Sequence, residues 1–162
     1  MINLSDFGKV FLFNQLNILL AMNAFQSNPD LFLQLIGKSI QDKLFQDFQT
    51  EFTSPSTQKL PNGQLYLYKE DGIAVKIVKD QINSIKFYLS PNPICNVYQG
   101  QNVFELKRIT DETQIRKNDF YERVVNTDPN RLTNNYKRDS CLFSFDSMTG
   151  EFLLIEILNE FV

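Results

Sequence analysis

The residues best equipped for chemistry gather between Asp111 and Glu122, where Asp111-Glu112, Asp119 and Glu122 surround a single tyrosine, Tyr121. Paired carboxylates do acid–base work when burial raises the pKa of one and leaves the other ionised. The local pattern points elsewhere. Thr110 stands as an N-cap, so the spacing predicts a helix from Asp111 to Val124 with two acids in its first turn. There they complement the positive end of the helix dipole. Asp119 and Glu122, three apart, mark a solvated helix face, and the surrounding Lys and Arg keep both ionised. Asp111, Glu112, Asp119, Tyr121 and Glu122 therefore read as an acidic and aromatic partner-binding surface, with no catalytic residue among them.

Other residue types narrow the chemistry further. Histidine is absent, which removes the usual neutral-pH base, the commonest metal ligand and any Ser-His or Cys-His nucleophile pair. The two cysteines, Cys95 and Cys141, lack metal-ligand spacing and read as buried small hydrophobes. The glycines are isolated, with no phosphate-cradling loop ahead of a helix. No cofactor and no metal are expected. A formal charge of −3 has the wrong sign for a nucleic-acid binder, and the basic residues form no stripe. Phe143, Phe145 and Phe152 alternate without interleaved cations, as a core does rather than a base-stacking surface. The N-terminal apolar run from Val10 to Leu20 is interrupted by Asn14, Gln15 and Asn17, so it is expected to be neither signal peptide nor membrane span. The expected location is cytoplasmic.

The elements that must position these residues follow from periodicity. At 162 residues and 43% hydrophobic content the chain suits one domain, 1–162, with a core filled by Phe and Tyr. Ser5 caps an N-terminal helix, 5–25, with a broad apolar stripe. Asn28-Pro29 opens a second helical region over 30–48, which Gly37 can break so that Ser39 caps a fresh helix. Residues 50–58 read as a polar loop. Strands are expected at 64–70, 73–79 and 82–89, with Asp71-Gly72 as a two-residue hairpin turn, and a short strand at 94–98. Asn134-Asn135 reads as loop. A last hairpin pairs 140–146 with 151–158 across Ser147–Gly150.

One stretch recurs. Tyr68-Lys69-Glu70-Asp71-Gly72 leads into Ile73, Val75 and Ile77, and then Ile82, Ile85 and Phe87. Tyr136-Lys137-Arg138-Asp139-Ser140 leads into Cys141, Phe143 and Phe145, and then Phe152, Ile155 and Ile157. The expected fold is α+β, with helices packed on one face of a curved antiparallel sheet. Its finer form is two tandem helix-plus-hairpin repeats, 39–89 and 110–158; two hairpins of any such domain look alike, and that alternative stays open.

The run from Tyr68 to Leu89, with its Asp71-Gly72 turn and Ile82-x-x-Ile85-x-Phe87-Tyr88 spacing, is followed by Tyr98-Gln99-Gly100 and the Thr110-capped helix. This pattern is similar to small bacterial immunity proteins of contact-dependent or type VI secretion systems. The duplicated layout resembles the tandem-repeat fold of proteinaceous β-lactamase inhibitors. The resemblance covers residues 39 to 158 and carries over no individual binding residue. It implies a cytoplasmic protein, not an enzyme, that binds a cognate toxin and occludes its active site. The alternative is a small hydrophobic-ligand carrier or sensor domain whose Phe side chains line a cavity between helices and sheet.

Overall fold

The structure, a computed structural model, describes residues 24–100, 111–125 and 132–159. The predicted helix 5–25 lies outside them except for its last two residues, which open α1 (Ala24–Ser27). The region predicted as helical over 30–48 divides into α2 (Asp30–Leu35) and α3 (Lys43–Glu51). Gly37 makes the break at φ +79, a left-handed conformation that costs glycine little. The freed backbone pairs with the sheet: Gly37 N–H donates to Ile82 O at 2.8 Å and Ile82 N–H to Lys38 O at 2.8 Å. Asp42, not Ser39, caps α3, its Oδ1 accepting from Leu44 N at 2.9 Å. Ser39 forms an isolated bridge with Gln81 instead.

Strands β1 (Ser56–Leu60), β2 (Gly63–Tyr68), β3 (Ile73–Val78) and β4 (Gln81–Tyr88) form a meander. After the single turn of α4 (Thr113–Arg116) come β5 (Glu122–Val124), β6 (Thr133–Arg138), β7 (Cys141–Asp146) and β8 (Phe152–Leu158). All pairings are antiparallel, and the order is β1-β2-β3-β4-β8-β7-β6-β5. The α+β class is observed, with a strand-rich open sheet. Three strands escaped the sequence reading. β1 and β6 fall largely where loops were expected, and β5 replaces the second half of the helix predicted over 111–124. Residues 94–98 form no strand.

The turns also differ. The connection from β2 to β3 takes four residues, Lys69–Gly72, whereas Asp139-Ser140 joins β6 to β7 in two. Gly72 sits at φ +71 and Asp139 at φ +51. The shared Tyr-Lys-x-Asp motif is therefore out of step in space. Tyr68 ends its strand opposite Ile73, while Tyr136 lies opposite Phe143, the level that Tyr66 occupies opposite Val75. β3 and β7 each carry a register shift, between Lys76 and Ile77 and between Ser144 and Phe145.

The core is mostly aromatic. Phe48 meets Tyr68 at 5.1 Å and Phe32 meets Phe87 at 4.8 Å, both edge-to-face, the arrangement ring quadrupoles favour. Tyr66 and Tyr68 turn toward α3, against Phe45 and Phe48. Strand alternation sends Leu67 and Ala74 to the opposite face, where Cys95 joins them. Both cysteines are free and buried, as the composition suggested. On that second face, at the β4–β8 seam, Ser84 Oγ donates to Glu156 Oε1 at 2.7 Å and Lys86 Nζ lies 3.4 Å from Glu156 Oε2. Among the described residues no helix is long and apolar enough to cross a membrane.

Candidate partner-binding site

The segment 111–122 turns on hydrogen bonds that its own residues make. Asp111 Oδ1 accepts from Thr113 N at 2.8 Å and from the Thr113 hydroxyl. These bonds, the hydroxyl first, hold its carboxyl below the ordinary range. Glu112 reaches inward. It accepts from the Tyr136 hydroxyl and, at 3.0 Å, from Asn134 Nδ2, while Asn134 Oδ1 accepts from Arg123 Nη2 at 3.3 Å. Burial, aided by the Glu112 carboxylate, pushes the Tyr136 phenol up. Asp111 and Glu112 thus also act as structural ties: one closes a turn and the other fastens the segment to β6.

Beyond α4, Asn118 makes a sharp turn. Its Oδ1 accepts from Phe120 N at 3.1 Å and its carbonyl from Tyr121 N at 3.1 Å, a side-chain-mimicked turn typical of Asn. This turn swings Tyr121 inward against Phe143, with centroids 5.5 Å apart, and leaves Phe120 77% exposed. Arg138 lies over both rings, its guanidinium carbon 5.9 Å from the Phe120 centroid and 5.5 Å from that of Tyr121. Its Nε is 3.8 Å from Asp139 Oδ2. At an exposed position such cation–π contacts contribute about 0.5–1 kcal/mol each, enough to orient the arginine rather than to stabilise the fold.

An open cleft of about 540 Å³ lies here, lined by Asp119, Phe120, Glu122, Lys137, Arg138 and Asp139. Of the five residues chosen from sequence, the structure brings Asp119 and Glu122 into this lining and Tyr121 against its arginine. Phe120 and Arg138 were missed. Phe120 falls inside the helix predicted over 111–124, but the observed helix ends at Arg116, so its exposure is not legible in the sequence. The Asn118-Asp119 pair was the available signal, since both residues favour turns.

No protein-family model and no curated protein matches the chain. Among solved structures, it is similar to a cysteine-rich secretory protein from Staphylococcus aureus subsp. aureus Mu50, with 14% identity and a TM-score of 0.48. The match covers 78% of this chain but 44% of that one. At this level the similarity assigns neither family nor activity.

Among the described residues, no group of three or more His, Cys, Asp or Glu side chains is placed to hold a metal ion. The cleft combines an exposed ring, a guanidinium lying over it and rim carboxylates beside the short outer strand β5.

Proposed function

We propose that this chain acts in the cytoplasm as an immunity protein that binds a cognate bacterial toxin and covers its active site. The observation that carries the reading is Phe120, a large aromatic ring held out into solvent beside Asp119 and Glu122 by a hydrogen-bonded turn. A well-ordered exposed aromatic ringed by charge is the usual composition of an energetic centre in a protein interface. The carboxylates nearest to a catalytic pair, Asp111 and Glu112, are occupied in holding the segment. The carrier alternative draws less support, because the Phe rings meant to line a cavity pack on one another, as Phe25 does on Phe32 and Phe48 at 5.2 and 5.4 Å.

The finer architecture belongs to the same proposal: two tandem units, 39–89 and 110–158, with their helical segments on one face of the sheet. Matched registers support it. Val75 pairs with Ile85 as Phe143 does with Ile155, and Ile73 with Phe87 as Cys141 does with Ile157. The register shifts fall at matching places in β3 and β7. Ile40 N–H donates to Asp80 O and Glu112 N–H to Gly150 O, each at 2.9 Å. Asn159 N–H meets Asn83 O and Leu89 N–H meets Leu153 O, each at 2.8 Å. A two-fold relation between the units, centred where Lys86 pairs with Glu156, would interchange these pairs.

The test is co-expression with the toxin encoded beside this chain's gene, scored by growth, with affinity of the purified pair measured by calorimetry. Protection together with a stable complex is expected. Survival no better than an empty vector, with no heat of binding, overturns the reading.

A further inference from the structure

We propose that the cleft at the β5 edge recognises an arginine of the partner protein, presented beside an aliphatic residue on a loop or extended segment. The inference deepens the binding reading and rests on it. Phe120 has two faces, and Arg138 covers one of them. With 77% of the residue exposed, the other face is open to a second flat cation. Arginine is the side chain that both stacks flat on a ring and pairs with carboxylate through a fixed fork of donors; lysine, a point charge with rotatable donors, offers neither the flat stack nor the fork.

Charge selects the same partner. The lining holds three carboxylates, Asp119, Glu122 and Asp139, against two cations, Lys137 and Arg138. Arg138 and Asp139 pair with each other, and Arg138 also lies over Phe120 and Tyr121, which leaves Asp119 and Glu122 against Lys137. Asp119 and Glu122, both exposed, flank Phe120 closely in sequence and share the cleft with it. A guanidinium on the open ring face would meet them, and its aliphatic neighbour would cover the ring edge. An acidic segment would instead meet the carboxylate-rich rim.

The experiment uses the whole chain, immobilised, and a phage library of random heptapeptides as the probe. Enriched peptides are expected to carry arginine next to Leu, Ile or Val. Their binding, followed by fluorescence anisotropy, should weaken roughly tenfold for Phe120→Ala and for Asp119→Asn/Glu122→Gln. Arg→Lys in the peptide should weaken it several-fold, and Ile94→Ala, at an exposed apolar residue elsewhere, should leave it unchanged. Melting temperatures equal to that of the parent chain establish that these variants fold. Enrichment of peptides without arginine, equal binding by the cleft variants, or no enrichment at all overturns the proposal. Failed toxin protection with arginine-dependent peptide binding intact would sink the immunity reading and leave the cleft's specificity standing.

Discussion

Asp146 gives a pH signature at the level of a single residue. Its Oδ1 accepts from Thr149 N at 2.7 Å and Met148 N at 2.8 Å, and these bonds hold the carboxyl below its ordinary value of 3.8. The folded chain therefore binds this proton less tightly than the unfolded chain does. The resulting stability is fully present above that ordinary value and is lost as pH falls through the lowered one. Urea titrations at a series of pH values should find Asp146→Asn less stable than the parent at neutral pH, with the gap closing in acid. A gap that persists unchanged below pH 3.8 would refute the linkage. Phe120 makes the opposite kind of residue. With 77% of it in solvent, Phe120→Ala should shift stability by no more than about 1 kcal/mol while removing most toxin affinity, so thermal melting and calorimetry on one variant separate fold from function.

Turns test the elements. A methyl group added to Gly72 would lie 2.4 Å from Tyr98 N and 2.6 Å from Asn96 O, both backbone atoms, whereas at Gly150 the nearest neighbour is Glu112 Cβ at 3.8 Å. Both glycines have left-handed φ. Gly150→Ala should cost about 1 kcal/mol from conformation alone, and Gly72→Ala roughly 3 kcal/mol or more because the backbone must also move. Equal losses in chemical denaturation would contradict this contact. The same contrast shows what the sequence could disclose. β3, β4, β7 and β8 alternate apolar residues at period two and were legible, since burial on one face writes that period into a strand. β1, with Ser56, Thr57, Gln58 and Lys59 all exposed, and β6, with Asn134 and Asn135, carry no such record; their pairing is imposed by the neighbouring strand. The helix predicted over 111–124 failed because Thr110 and the acids supply a start signal, while Asn118-Asp119 turns the chain after one helical turn. That error hid Phe120, and with it the centre of the candidate site.

At the scale of the whole molecule, β4 and β8 join the two meanders into one sheet. Ile85 and Ile155 are almost wholly buried at 0% and 1% exposure, on adjacent seam strands and at matching levels opposite Val75 and Phe143. Truncation of either to Ala should cost about 2–5 kcal/mol, and the two losses should agree within roughly 1 kcal/mol if the units are equivalent. Unfolding followed by circular dichroism and by tyrosine fluorescence should coincide, as in a single cooperative transition. Two separated transitions would mean that the halves melt independently.

The seam has a consequence for how the protein is made. β8 follows the other seven strands in chain order yet occupies an inner place in the sheet, beside β4. On the ribosome, β4 must wait with one rim unpaired until β5, β6 and β7 have emerged ahead of β8. A nascent strand rich in Ile and Phe with open amides is prone to capture by other chains. Yield in the cell should therefore depend on chaperones that shield partly finished polypeptides, and on the pace of translation through the region preceding Phe152.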